Sequence, residues 1–351
     1  MDKILEINDI KVEPYDENIH GPMDGYDFST LNAVDGCAVR GIISNVLGKR
    51  FDEPKQRNMA LEAGDLCHKC FAVLRALTLD KEQVCKFMLQ AVPTMTQETF
   101  ETLLQKSSEQ LTPVSKQMVF VDYILENGGF YDDEGDKKRT LANIRNTLLA
   151  YCSNFNDLVA NEPVYKDEKG FVGIELPFDY VVSITYNEKS IRNFRFIGKI
   201  DGLHVFKDGT MILHENKTAS RLDDSWLGQW ETSHQITGYC LIAQAITGKP
   251  CKKARVIGAQ IPVPKMSGYA FRSERVDREI YCFENWARWV ITMLGIIDCY
   301  KNCPHLAPMS TKNCCAYYSK CALLPLCVLS SDDKKEMIDQ MIVDKWSPLD
   351  D

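Results

Sequence analysis

The spacing of apolar residues divides the chain into blocks of different texture. Residues 1–30 are polar and broken by Pro and Gly, which predicts an irregular arm. A helical period begins near Asn32 in "LNAVDGCAVRGIISNVLG" and returns in "MALEAGDLCHKCFAVLRALT". In the second segment Leu61, Gly64, His68, Phe71 and Leu74 share one helical face. From about Lys81 to Ala160 the pattern stays helical, as in "LANIRNTLLAYCSNF". At "KGFVGIELPFDYVVSITY" it changes to alternation with β-branched residues, which predicts a strand or hairpin. "NFRFIGKIDGLHVF", a turn at Lys207-Asp208-Gly209 and "TMILHENKTA" then predict a second hairpin. One amphipathic helix is expected from Ser225 to Thr247, followed by strands in "KARVIGAQIPVP" and "GYAFRSERV". The helix "IYCFENWARWVITMLGIIDCYK", a Cys-rich loop and the charged helix "DDKKEMIDQMIVDKW" end the chain. Helices, strands, a helix and further strands predict a mixed α/β (α+β) fold with helical additions.

Composition narrows the class. The 351 residues are 45% hydrophobic, enough for a large core, and contain no internal repeat. The acidic start "MDKILEINDIKVEPYDEN" lacks the basic and apolar stretches of a secretory signal, and no apolar run reaches the length of a membrane span. The expectation is a soluble cytoplasmic protein. Net charge is -8, but Tyr186 to Ile280 holds fifteen Lys and Arg against ten Asp and Glu. That block is +5 and the remainder -13, so a local basic cleft is compatible with an acidic chain. A solvated basic face is the alternative.

Three charges interrupt the second hairpin. Glu215 and Lys217 are two residues apart, so on a strand their side chains share one face. The tight turn brings Asp201 beside that face. Two neighbouring carboxylates repel unless a hard divalent cation bridges them, and a lysine next to such an ion can orient or polarise its bound water. The backbone carbonyl of Asn216 is a further oxygen on the same edge.

The order Asp201 … Glu215-Asn216-Lys217 resembles the PD-(D/E)XK nuclease superfamily. Gln235-Ile236-Thr237-Gly238-Tyr239 is similar to the Q-x(3)-Y signature of its RecB-like branch, and Gly64 and His68 match that branch's G-x(3)-H helix motif. The resemblance covers His68 and then roughly 170–300; Ile200 replaces the proline of the family name. It implies a restriction-endonuclease-like mixed central sheet flanked by helices. The implied division is an arm (1–30), N-terminal core helices (31–80), a helical insertion (81–165), the nuclease core (166–302), a Cys-rich segment (303–327) and a C-terminal helix (328–351). It further implies Mg2+ or Mn2+ held by His68, Asp201 and Glu215, with Asn216 as an added ligand. Lys217 helps activate water, and Gln235 and Tyr239 position the strand. Arg192, Arg195 and Lys199 are expected on backbone phosphates. The implied partner is DNA, as single strands or duplex ends, alongside a helicase or recombinase. The expected activity is that of a stand-alone exonuclease of recombination, repair or phage DNA processing. A non-catalytic nucleic-acid-binding or assembly subunit and an RNA-directed nuclease remain the alternatives. His204, His214 and His234 fit no role in the motif and are expected to be structural or surface residues, with His214 on the face opposite Glu215.

Fourteen cysteines in such a chain point away from a disulfide scaffold. Five lie at 303, 314, 315, 321 and 327, a density typical of metal ligation. Many RecB-like nucleases pin an iron–sulfur cluster between one early cysteine and three late ones. The resemblance therefore implies a [4Fe-4S] staple on Cys37, Cys315, Cys321 and Cys327. The interval from Cys315 to Cys321 departs from the family's usual C-x2-C, so Cys314 and Cys303 are substitutes, and a zinc site or packed free thiols are the alternatives.

Overall fold

The computed structural model describes residues 10–52, 58–127, 131–132, 134, 136–186, 189–261, 271–312 and 321–349. In chain order the first elements are β1 (Ile10–Pro14), α1 (Glu17–His20), β2 (Gly25–Tyr26), α2 (Phe28–Gly36), α3 (Ala38–Arg40) and β3 (Lys49–Arg50). The helices α4 (Met59–Ala76), α5 (Lys81–Ala91), α6 (Gln97–Ser108), α7 (Pro113–Asn127) and α8 (Leu141–Asn161) follow. Then come β4 (Ile174–Tyr186), β5 (Lys189–Val205), β6 (Met211–Ala219), α9 (Asp224–Gly228), α10 (His234–Thr247), β7 (Lys253–Gln260) and β8 (Phe271–Asp277). The last are α11 (Ile280–Tyr300), α12 (Leu324–Cys327), α13 (Ser331–Asp339) and β9 (Ile342–Val343). The expected mixed α/β fold is present, with a mixed sheet of seven strands and flanking helices.

The chain forms two compact units. Unit 1 comprises Met1–Lys55, Pro177–Lys199 and Glu279–Asp351; unit 2 comprises Gln56–Leu176 and Ile200–Arg278. Within unit 1, β1 runs antiparallel to β4, β2 pairs in parallel with β5 at Gly25↔Arg195, and β3 pairs with β9. The polar arm thus contributes two strands. Ile10 is buried, and one short stretch of alternation was too little to show it in the sequence. The helix expected from Asn32 is interrupted at Cys37, whose extended backbone (φ -165°, ψ 111°) separates α2 from α3. A π-helical turn, Gly41–Val46, follows.

In unit 2, β5 and β6 form the expected hairpin, in the register Gly202↔His214 to Val205↔Met211. β6 also pairs in parallel with β7, and β7 antiparallel with β8. The first six residues of β6, Met211 to Asn216, are all buried, and α4 and α10 pack on this strand. Helices α4 to α8 enclose the main apolar core of the unit, around Phe71, Phe100, Phe120, Tyr151 and Phe155. Burying each such side chain contributes about 1.5–3 kcal/mol. The single helix expected over 225–247 is two. Ser233 takes extended backbone and accepts the Ile236 N–H, capping α10 anew. At the break, buried Arg278 donates to the Trp230 carbonyl at 2.7 Å, satisfying a group that the lost turn would otherwise leave bare.

Candidate active site

The hairpin register sets the site. One step beyond Gly202↔His214 lies Asp201 across from Glu215, so both carboxyls fall on one face. Both are buried, at 8% and 2% exposure. Asp201 Oδ2 accepts the backbone N–H of Asn216 at 2.7 Å and lies 3.4 Å from His68 Nδ1. Lys217 Nζ donates to Glu215 Oε1 at 2.6 Å, and Gln235 Nε2 donates to the same oxygen at 3.0 Å. Glu215 Oε2 is buried and without a hydrogen-bond partner, and Asp201 Oδ1 accepts no hydrogen bond among the described residues. Each carboxylate therefore has one oxygen committed and one open.

Helix α4 delivers His68. Its N-cap Asn58 accepts the N–H groups of Ala60 and Leu61, and Gly64 lets the helix pass close to β6. A Cβ at Gly64 would stand 3.3 Å from Thr218 Oγ1, tighter than most such contacts. The His68 ring meets Phe71 edge-on, and Phe71 stacks on Tyr151 with centroids 4.2 Å apart. The Tyr151 hydroxyl donates to Asn216 Oδ1 at 3.0 Å. Asn216, expected as a metal ligand, thus orients Asp201 through its N–H and is anchored to α8 through its side chain. Tyr239 lies one turn along α10 from Gln235 and is buried.

Burial, the largest single influence on Asp201, favours its neutral form, but His68, Arg75 and Lys217 together hold its carboxyl well below the usual range. For Glu215 burial prevails over Lys217, and its carboxyl is raised. Burial alone would lower Lys217, yet Glu215 and Asp201 raise it, so the ammonium form is secured. His68 is raised in the same way, burial being outweighed chiefly by Asp201.

Two neighbours carried no motif in the sequence. Glu175, at the start of β4, also raises His68 by its charge, and it is the one non-glycine at positive φ (47°) among the described residues. Its signal is a backbone angle, which no residue pattern encodes. Arg75, fully buried on α4, stands over Gly202, where a Cβ would come within 2.6 Å of Arg75 Nε.

On the other face of β6, His214 lies as expected, and Glu162 closes a second polar cluster. His214 Nε2 is 2.7 Å from Glu162 Oε2, and Arg255 grips both oxygens at 2.8 and 2.5 Å. The His204 ring stacks on His214 at 3.6 Å, and its Nδ1 lies 2.8 Å from the Glu162 carbonyl.

Other predicted residues lie in unit 1. Arg195 is held bidentately by Asp179 at 2.7 and 2.6 Å and covers the Tyr15 ring, and Arg192 pairs with Asp298 at 2.6 Å. Both guanidinium groups expected on phosphate are neutralised by structural partners. Lys199 is the last residue of that segment. Cys37, Cys321 and Cys327 border one apolar cluster, and the Lys334 ammonium feels both Cys327 and Cys37. Ser310 N–H donates to Cys37 Sγ at 3.4 Å. Cys303 is turned onto the Cys299 carbonyl at 3.2 Å, and Cys314 and Cys315 lie outside the described residues.

As to cofactor fit, no three His, Cys, Asp and Glu side chains among the described residues are already drawn into a coordination sphere. Asp201 and Glu215 each keep one oxygen outside any hydrogen bond, the hard donor type that Mg2+ or Mn2+ takes, with the softer His68 imidazole beside Asp201. No helix among the described residues is long and apolar enough to cross a membrane.

No family model matches the chain, and no curated protein does. A solved structure described as "Crystal structure of SSO0001" aligns with 66% of this chain and 97% of its own, at 15% identity and a TM-score of 0.28. A likeness at that level carries no argument here.

Proposed function

We propose that this chain is a divalent-metal-dependent nuclease of the PD-(D/E)XK superfamily, RecB-like branch, that hydrolyses phosphodiester bonds in DNA as an exonuclease. The observation that carries this reading is a buried carboxylate oxygen without a hydrogen bond, Glu215 Oε2, across the hairpin from Asp201, whose Oδ1 is also uncommitted, beside His68 and Lys217. Buried polar atoms are nearly always satisfied, so the unpartnered Glu215 Oε2 calls for a ligand. Asp201, Glu215 and His68 would hold Mg2+ or Mn2+, which when bound supplies Lewis acidity and a water acidic enough to attack phosphorus. The chain's own groups prepare that chemistry. Asn216 N–H and His68 fix Asp201, and Gln235 and Lys217 pin Glu215 Oε1 so that Oε2 faces no competing donor. The Lys217 ammonium is placed to offset charge on a phosphoryl oxygen.

The test is cleavage of end-labelled single-stranded and duplex DNA with Mn2+, Mg2+ or EDTA. Metal-dependent release of nucleotides is expected; absence of cleavage with every metal, binding retained, would move the chain to the non-catalytic class. Matched RNA in competition decides the substrate sugar. The proposed setting is the cytoplasm, beside a helicase or recombinase.

Cys37, Cys321 and Cys327 border one apolar cluster without being drawn together as ligands among the described residues. On that shared border we extend the proposal to a [4Fe-4S] staple in unit 1, with Cys315 as fourth ligand and Cys314 or Cys303 as substitutes. Anaerobic purification should then give a brown protein with about four irons per chain. A colourless, iron-free product removes the staple and leaves the nuclease proposal standing.

A further inference from the structure

Glu175 holds a backbone angle, φ 47°, that glycine would hold more readily, and no motif in the sequence calls for a glutamate there. Strain of this kind persists only where the surroundings enforce it, and it concentrates at functional sites. The surroundings of Glu175 lead to helix α4.

Two packing observations place it. His68, Ala72 and Ala76 follow one another at four-residue steps along α4 and share one face. Ala72 and Ala76 form a single apolar cluster with Val164 and Ile174, so the residue just before Glu175 packs on the turns that follow His68. On the sheet side, the Leu203 N–H donates to the Gly173 carbonyl at 2.8 Å, which fixes the entry to β4 against its neighbour β5. Two residues forward along β4 and two back along β5, the antiparallel count brings Glu175 level with Asp201. Helix and sheet thus set Glu175 beside both the imidazole and the first carboxylate, and its charge reaches the His68 ring.

Resting on the nuclease reading, we propose that Glu175 is a positioning residue of the metal centre, which holds the His68 imidazole in the orientation that offers a ring nitrogen to the ion. A histidine that ligates a metal keeps its orientation through a second group acting on the ring, and carboxylates commonly serve. Glu175 touches neither ion nor substrate in this role; it acts through His68. The left-handed angle takes its side chain out of the ordinary alternation of β4, and the packing of Ile174 on α4 keeps it there.

The test measures Mn2+ affinity by titration calorimetry for the full chain as wild type, Glu175→Gln, Glu175→Gly, His68→Ala and the Glu175→Gln/His68→Ala pair. The melting temperature of each metal-free protein is recorded alongside. Glu175→Gln should weaken Mn2+ binding about 10- to 100-fold, as loss of such a partner does elsewhere. In the His68→Ala background the same change should alter affinity by less than about twofold, because the group it serves has gone. Glu175→Gly should weaken Mn2+ binding as strongly as Glu175→Gln while the metal-free melting temperature stays level or rises, since glycine relaxes the backbone. A purely structural glutamate gives the reverse: a lower metal-free melting temperature with Mn2+ affinity intact. That result, or equal losses of affinity with and without His68, overturns the role of Glu175 and leaves the nuclease reading standing. A wild type that binds no Mn2+ overturns both.

Discussion

Glu215 on one face of β6 and Glu162, at the end of α8 against the other face, are both buried, yet they are treated differently. Glu162 has both oxygens occupied, by His214 and by the two arms of Arg255. Glu215 has one oxygen taken twice, by Lys217 and Gln235, and one left open. A closed carboxylate holds a structure together, whereas an open one, kept buried, retains the capacity to bind something. Burial alone would have ranked the two as equivalents.

Substitution should separate them most strongly. On the proposed function, Asp201→Ala and Glu215→Gln should each reduce metal-dependent cleavage by at least about 10^3-fold, measured by cleavage rate. By calorimetry, Asp201→Ala should show a clear loss of melting temperature because His68, Arg75 and Lys217 lose their carboxylate, and Glu215→Gln little loss. Glu162→Gln should do the opposite. Removing one partner of a buried pair destabilises by about 3–5 kcal/mol, while the protein that remains folded still cuts. Equal effects on stability from both positions would erase the distinction.

Metal offers a smaller and sharper measure. Mn2+ at a hundredfold excess over its Kd should stabilise wild type by about 2.7 kcal/mol, seen as a raised melting temperature, and should do so for neither Asp201→Ala nor Glu215→Gln. Gly202→Ala should cost about 1–3 kcal/mol, because its Cβ would meet the buried Arg75 side chain at 2.6 Å; denaturant midpoints report it. Smallest is Tyr151→Phe, which removes the hydroxyl that holds Asn216 and should cost about 1 kcal/mol in the same measurement.

The hairpin face was readable in advance because strand alternation converts a two-residue spacing into a shared direction. Residues 215 and 217 needed only the turn at 207–209 to bring 201 beside them. His68 and Gln235 were readable as helical positions, and the structure brings each within hydrogen-bonding or near-contact distance of a hairpin carboxylate. The cluster around Glu162 was not readable. Its members at 162, 204, 214 and 255 lie on a helix end and three strands, and no short pattern links them. The break between α9 and α10 was missed because the apolar period continues through it, while Ser233 and the distant Arg278 decide the backbone. Two strands in the first thirty residues went unseen for a related reason: β1 acquires its meaning from β4, more than a hundred residues away.

The interleaving of the two units sets an order of events during synthesis. Unit 2 is complete once Arg278 has left the ribosome, whereas unit 1 waits for α11 and everything after it. Chains emerge at about 5–20 residues per second and domains fold largely as units, so the hairpin with its open acids can mature several seconds before the apolar cluster bordered by Cys37, Cys321 and Cys327 is complete. A nascent chain stalled in that interval would carry a finished centre on an unfinished body.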